Sequence, residues 1–155
     1  MSHVHAKEEC EIVTKEFKFV GISTTAPFPS GFPEAAMKVQ QQFEKRMLEV
    51  ENYVDRQVLC SPYVGNGIVT TYFACLEVTT LEVIPEEMIG FTIPTMQYAK
   101  TTCTNKTIVN GYDKIFQWIK DNGYTPKGSD AFHLERFHLD EQAAEEQVDL
   151  LIPIH

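Results

Sequence analysis

The sequence predicts an α+β domain of two pseudo-symmetric strand-helix-strand-strand units, with an antiparallel sheet, two main helices and a central ligand cleft. In both halves, runs rich in β-branched and aromatic residues alternate with helix-like stretches in the same order. An internal repeat accompanies this order: Leu-Glu-Val at 76–78 precedes Thr-Ile-Pro at 92–94, and Leu-Glu-Arg at 134–136 precedes Leu-Ile-Pro at 151–153. Such short motifs also match by chance, so the prediction depends on their order and spacing together.

The composition is that of one folded domain, which we predict over residues 1–155 with a flexible tail at residues 1–10. Apolar residues make up 43% of the chain and charged residues 23%, as in ordinary globular proteins. The net charge of -9 repels phosphate backbones, so we predict no direct binding of nucleic acid. The same negative field favours cationic or neutral ligands over anionic ones.

The first predicted strand covers residues 11–24, where Phe17 and Phe19 alternate with polar neighbours. A segment rich in Pro and Gly then breaks it. Pro33 is tolerated at the first position of a helix, and apolar residues follow it at spacings of three and four. This pattern predicts an amphipathic helix with one apolar face formed by Ala36, Val39, Phe43, Met47, Val50 and Val54.

A loop or hairpin turn is predicted at residues 61–67, which contain Pro, Gly and an Asn-Gly pair, before a strand at 68–79. Because side chains alternate along a strand, Tyr72 faces one side of it while Phe73 and Glu77 face the other.

Pro94 is predicted to mark the boundary between the two units. It lies in a strand-like run at residues 88–104, and proline cannot donate a hydrogen bond to a β-ladder. The repeat units would then cover residues 11–94 and 95–154.

The second unit is predicted to begin with a strand at 96–101. Asn105 or Thr107 can cap the helix that follows, and Gly123 ends it. Two further strands complete the unit, at residues 131–138 and 148–154.

The two glutamates of the repeat are the candidate ligand-binding acids. If Leu76 and Leu134 pack beneath the helices, Glu77 and Glu135 both point into the groove between the units. A cleft between two halves, lined by aromatic side chains with few polar groups, is typical of a small-molecule site. A glutamate on a strand is more often solvated, however, and aromatic residues also fill cores. The candidate ligand-binding residues are Glu135, Glu77, Phe73, Tyr98, Phe137, Tyr72, Phe91 and Trp118.

The sequence has none of the common cofactor or catalytic motifs. Without a GxGxxG, P-loop, GxSxG or HExxH motif, we predict no cofactor and assign no catalytic residue. His3 and His5 lie in a polar tail with no other ligand at metal spacing, so we predict no metal. The four cysteines form no CxxC pair, and no signal peptide or long apolar run occurs. We therefore predict a cytoplasmic protein with no membrane contact.

Further motifs follow in order along the chain: Phe-Ala-Cys-Leu-Glu-Val at 73–78, Pro-Glu-Glu-Met at 85–88, Tyr-Ala at 98–99, Tyr-Asp-Lys-Ile at 112–115 with Trp118, the strand at 132–137, and Asp-Leu-Leu-Ile-Pro-Ile at 149–154. In this order the chain resembles the GyrI-like small-molecule-binding domains, which are related to the effector-binding domains of AraC-type and MerR-type transcription regulators. The similarity extends from about residue 11 to 154.

This resemblance implies two units around a cleft that takes drug-like or lipophilic cations, as in multidrug binding, with Glu135 facing the ligand. Cys75 stands where relatives often have glycine and Phe137 where they often have tyrosine, so the identity of the ligand stays open. Regulators of this kind carry a helix-turn-helix domain ahead of the module. The short segment before the first strand leaves no room for one, so we expect a stand-alone member.

Three functions remain open from the sequence. The first is a sensor or sequestering protein for a hydrophobic small molecule, including cationic ones, which binds through Glu135 and aromatic contacts. The second is hydrolysis of small reactive electrophiles, in which Glu135 acts directly or through water; a raised pKa of Glu135 in an apolar cleft would favour it. The third is a protein partner: an acidic surface that mimics nucleic acid and inhibits a DNA-handling enzyme.

Overall fold

Residues 10–155, which the computed structural model describes, form a closed antiparallel barrel of six strands with two α-helices against its outer face. The predicted α+β class and the strand-helix-strand-strand order of each half are confirmed. The predicted tail and the pair His3 and His5 lie outside the described residues, apart from Cys10. In chain order the elements are β1 (Glu11–Pro27), α1 (Glu34–Glu44), a 3-10 helix (Met47–Glu49), β2 (Val58–Gly65), β3 (Val69–Glu77), β4 (Ile89–Thr104), α2 (Ile108–Asp121), β5 (His133–His138) and β6 (Gln147–Pro153).

The strands follow one another around the barrel in the order β1, β3, β2, β5, β6 and β4, and β4 closes the ring by pairing with β1. Gly21 lies at a close approach of β1 to β3. A Cβ atom there would lie 2.1 Å from the carbonyl oxygen of Ala74 and 2.6 Å from the Cα of Cys75. Only glycine fits between these two backbones without a shift.

Apolar side chains fill three separate clusters. One lies inside the barrel and includes Phe17, Tyr98 and Leu134. The second lies between α1 and the sheet, and the third between α2 and the sheet around Ile115 and Ile152. Both faces of most strands are therefore buried, one against the barrel interior and the other beneath a helix.

The first helix is shorter than predicted. It ends at Glu44, and a single 3-10 turn follows it, although the expected apolar face extended to Val54. Met47 and Val50 still pack on the cluster beneath α1, whereas Val54 is 54% exposed. An irregular segment that continues over the same sheet places its apolar residues inward, so its spacing imitates a helix.

The strand predictions contain two errors of opposite effect, since they miss β2 and divide β4 at Pro94. Residues 61–65, expected in a loop, belong to β2, and only residues 66–68 form the turn. The strand β4 continues through Pro94, because Lys15 pairs with Met96 and Phe17 with Ile93, which leaves Pro94 in a bulge. The two halves therefore meet in the segment 78–88 rather than at Pro94.

Candidate functional site

The candidate site is a cavity of about 680 Å³ between α1 and α2, over the outer faces of β2, β3 and β5. This volume lies within the range of ligand pockets for drug-sized molecules. Its lining is mainly apolar and aromatic and comes from both halves of the chain: Phe28, Phe32, Pro33, Ala36, Met37, Gln40, Tyr63, Thr70, Tyr72, Asn105, Ile108, Tyr112, Phe116, Glu135 and Phe137.

Glu135 is the only ionisable carboxylate among the described residues that line this cavity. In β5, Leu134 packs inside the barrel, so the neighbouring Glu135 points outward toward the helices. Its Oε1 accepts a hydrogen bond from the Tyr72 hydroxyl at 2.6 Å, and its Oε2 accepts one from the Tyr112 hydroxyl at 2.5 Å. Strand β3 and helix α2 thus each supply one donor to the carboxylate.

The hydrogen bonds around Glu135 have a defined direction. A tyrosine hydroxyl has one proton, and Tyr112 donates its proton to Glu135. The hydroxyl of Tyr63, 2.7 Å from that of Tyr112, must therefore donate to it. On the other side, the Gln40 side-chain amide donates to the Tyr72 oxygen at 3.2 Å. Both arms of this network end at the carboxylate.

Burial governs the protonation of the site. Desolvation raises the pKa of the Glu135 carboxyl above its ordinary value, and the hydrogen bonds from Tyr112 and Tyr72 act against that rise. Burial and the nearby Glu135 charge raise the pKa values of Tyr72 and Tyr112 well above 10, so both remain protonated donors. Glu135 forms no salt bridge within residues 10–155.

Aromatic rings form much of the wall beside the carboxylate. The rings of Tyr63 and Tyr72 stack at 6.0 Å with an interplanar angle of 18°, and Phe32 packs on Tyr72 at 6.0 Å. On α2, Tyr112 and Phe116 stack at 6.5 Å. These contacts hold the rings in place around the opening between the helices.

Three of the eight residues predicted for the site lie together in this cavity, namely Glu135, Tyr72 and Phe137. Four others lie inside the barrel. Phe73 and Tyr98 belong to its core and Phe91 packs against it, while Glu77 forms an ion pair with Lys15 at 2.9 Å.

The eighth residue, Trp118, packs on the cluster beneath α2 and stacks on Tyr124 at 6.0 Å. Trp118 is not among the residues of the described chain, 10–155, that line the cavity.

The predicted pairing of Glu77 with Glu135 is wrong because the two leucines beside them face opposite ways. Leu76 packs beneath α1, whereas Leu134 packs inside the barrel. The glutamates consequently lie on opposite faces of the sheet. In this barrel both faces of most strands are buried against apolar clusters, so alternation alone cannot tell the inner face from the outer one.

Several cavity residues were missed by sequence reasoning. Tyr63 lies in the segment predicted to be a loop, and Gln40, in the first helix, is not among the residues of its predicted apolar face. Tyr112 and Phe116 share one face of α2 at a spacing of four, which is a signal present in the sequence. Phe32 precedes the helix in a segment that gave no periodicity.

A second cavity, of about 710 Å³, lies beside the segment that joins β5 to β6. Its lining is mostly polar and includes Arg56, Asp140, Glu141 and Glu146. Because it lacks the aromatic wall of a small-molecule site, we assign the candidate site to the first cavity. Within residues 10–155 there is no cluster of His, Cys, Asp and Glu that could hold a metal ion. Neither of the described helices has the length and apolar character needed to cross a bilayer.

The comparison with family models identifies an effector-binding class of protein. Residues 11–154 match the family of integron-associated effector binding proteins, and the chain belongs to that family. The GyrI-like resemblance seen in the sequence is thereby confirmed. Comparison with curated proteins finds no match.

Solved structures share the fold over nearly the whole chain. SAV2435 bound to tetraphenylphosphonium has a TM-score of 0.74 at 10% identity, covering 95% of this chain and 94% of that one. An integron cassette protein from the mobile metagenome of Vibrio cholerae has a TM-score of 0.67 at 10% identity, with 94% and 95% covered. A hydrolase from Listeria innocua has a TM-score of 0.62 at 12% identity, with 96% and 93% covered. At these identities the likeness shows the fold alone.

Proposed function

We propose that this protein binds lipophilic cations in the cavity between α1 and α2, and so senses or sequesters them. The observation that carries this proposal is the state of the Glu135 carboxylate. It is desolvated in an aromatic cavity, and within residues 10–155 it has no salt-bridge partner. Burying a carboxylate without a counter-charge is costly. A ligand cation would supply the counter-charge, and the binding free energy would include the relief of that cost.

The aromatic wall supports a large, poorly hydrated cation. Rings within about 6 Å of a cation attract it through their quadrupoles, most strongly where water is excluded. The rings of Phe32, Tyr72 and Phe116 also offer apolar area to the ligand body. SAV2435, which has this fold, is bound to tetraphenylphosphonium. We extend that ligand class to this chain as part of the proposal.

Thermal stability against a ligand panel tests the proposal. Lipophilic cations should raise the melting temperature of the wild-type protein more than neutral aromatic compounds of similar size, because binding to the native state alone stabilises it. The cation effect should shrink in Glu135→Gln while the neutral compounds act equally on both proteins. If no cation stabilises the wild type, the proposal is wrong.

Hydrolysis of small electrophiles is a second candidate, and one observation favours it. Burial raises the pKa of Glu135, which suits a general acid or base. A Listeria innocua protein of this fold is a hydrolase. Incubation of each stabilising compound with the protein, followed by mass spectrometry, separates the two functions. Addition of water to a compound by the wild type, lost in Glu135→Gln, would favour catalysis, and recovery of the compound unchanged would favour binding.

A further inference from the structure

We propose that Tyr72 and Tyr112 make this site selective for cations without N–H donors, such as quaternary ammonium and phosphonium ions, over protonated amines of the same size and charge. This inference rests on the proposed function, because it concerns which cations the same cavity accepts. It assigns the selectivity to the two hydroxyl groups and not to the carboxylate itself.

The first step is that part of the hydrogen-bonding capacity of Glu135 is already used. A carboxylate has about four lone-pair positions on its two oxygens. One position on each oxygen is occupied, by Tyr72 at 2.6 Å and by Tyr112 at 2.5 Å. The negative charge remains available to a nearby cation, whereas the acceptor positions are only partly available.

The second step is that the two hydroxyls are held in their donating orientation. Tyr112 accepts from Tyr63, and Tyr72 accepts from Gln40, so neither hydroxyl can turn away without breaking a second hydrogen bond. Gln40 is itself fixed by donating to the Ser61 hydroxyl at 3.2 Å. An incoming amine would have to disrupt this connected network to reach the occupied positions.

The third step is the demand of the ligand. A primary ammonium group has three N–H donors and no acceptor, and each donor left unmatched in a buried site weakens binding. Beyond the network, the polar side chains among residues 10–155 that line the cavity are Thr70 and Asn105. A quaternary cation has no donor to satisfy, so it interacts with the Glu135 charge and the aromatic rings without this penalty.

The test uses a matched pair of ligands, 2-(biphenyl-4-yl)ethylamine and its N,N,N-trimethyl derivative. A slightly alkaline pH keeps both ligands charged and favours the charged form of Glu135 over its protonated form. Isothermal titration calorimetry should show the trimethyl compound binding the wild type at least about tenfold more tightly. In Tyr112→Phe and in Tyr72→Phe the ratio should fall to about threefold or less, mainly because the amine binds better. Tyr124→Phe, which removes a hydroxyl outside the cavity, should leave the ratio unchanged.

Equal affinity of the two ligands for the wild type would overturn the inference, and this result does not depend on any variant folding. A wild-type preference that persists in both cavity variants would also overturn it, because the hydroxyls would then have no part in selection. Binding of neither ligand would instead contradict the proposed function, and the inference with it. A purely structural role of the tyrosines would lower both affinities together and leave their ratio unchanged.

Discussion

At the residue scale, the proposed function depends on Glu135, a buried carboxylate in a largely apolar cavity. Two tyrosine hydroxyls stabilise its charged form, and burial opposes that form. The tyrosine donors are themselves neutral, so they lower the cost of burying the carboxylate charge without cancelling that charge. A ligand cation can therefore still gain from the interaction. This balance also makes the site dependent on pH.

Lowering the pH should weaken cation binding as Glu135 takes up a proton. Its pKa is raised above the ordinary value of 4.5, so the loss of affinity begins at a higher pH than for an exposed glutamate. Binding near that pKa should also release protons, because the cation favours the charged carboxylate. Calorimetry in buffers of different ionisation enthalpy measures the release, and an affinity independent of pH in the acidic range would contradict it.

The same shift predicts a stability effect with a definite sign. Because the pKa of Glu135 is higher in the folded protein, its contribution to the free energy of unfolding is fully present below about pH 4.5. This contribution is lost as the pH rises through the folded pKa. Glu135→Gln should thus gain melting temperature relative to the wild type on going from pH about 4 to neutral pH. Thermal unfolding across this range tests it. A melting-temperature difference that stays constant with pH would show that Glu135 has an unshifted pKa.

Asp149 is the opposite case, because this buried carboxylate has salt-bridge partners within the protein. It accepts from His138 at 2.8 Å and from Arg136 at 3.1 Å, and its side chain is 2% exposed. Burial acts to raise its pKa, but the His138 hydrogen bond and the Arg136 charge outweigh burial and hold the pKa below its usual value. Asp149→Asn should therefore destabilise the fold by about 3 kcal/mol in urea denaturation at neutral pH.

Glu16→Gln is the matched control for Asp149→Asn, because it changes the net charge equally at an exposed ion pair with Lys18. It should shift the free energy of unfolding by less than about 0.5 kcal/mol. Equal effects of the two substitutions would mean that Asp149 acts only through the net charge.

At the element scale, local patterns predicted the helices and most strands, and failed where tertiary structure overrides them. The segment of β2 was missed because Pro62 and Gly65 are rare within strands, yet it pairs with both β3 and β5. The sequence predicts a boundary at Pro94 because a local pattern does not show that a bulge in β4 accommodates the proline. Conversely, Tyr112 and Phe116 recur at a spacing of four in α2, so the sequence contains a signal for the face that lines the cavity, although sequence reasoning did not place these two residues in the site.

The apolar face of α1 should carry a large part of the stability of the first half. Phe43 is fully buried between α1 and the sheet, so Phe43→Ala should destabilise by roughly 3–5 kcal/mol in chemical denaturation. Leu48, in the 3-10 helix, is 76% exposed and provides the control, and Leu48→Ala should be nearly neutral. A small effect of Phe43→Ala would place this helix outside the core.

At the scale of the whole molecule, the site exists only because the barrel closes. Closure brings β2 and β3 of the first half beside β5 of the second, which places Tyr63 and Tyr72 next to Glu135. The sequence indicated the glutamate and the cleft between halves, but not the inward and outward faces on which the other residues depend. Pairing between distant strands fixes those faces, and no local pattern encodes it.

Barrel closure should be sensitive to Gly21. A methyl group there would meet the backbone of β3, so Gly21→Ala should force β1 and β3 apart. Overpacking usually costs about 1–3 kcal/mol, and we expect the loss in the free energy of unfolding to lie at the upper end of that range. Gly67, whose Cβ would meet nothing within 4 Å, lies in a turn with φ of 88° and tests backbone conformation without crowding. Hydrogen exchange should show lost protection along β1 and β3 in Gly21→Ala, and no such loss in the control Gly67→Ala. Unchanged protection there would contradict the role given to Gly21.

The most direct test of the central claim is calorimetric titration of tetraphenylphosphonium into the wild type, Glu135→Gln and Glu77→Gln. The two variants change the net charge equally, and Glu77 lies in the barrel beside Lys15. We predict binding to the wild type, at least about tenfold weaker binding to Glu135→Gln, and an affinity within about twofold of wild type for Glu77→Gln. Undiminished binding to Glu135→Gln, or a loss confined to Glu77→Gln, would contradict the assignment of the site.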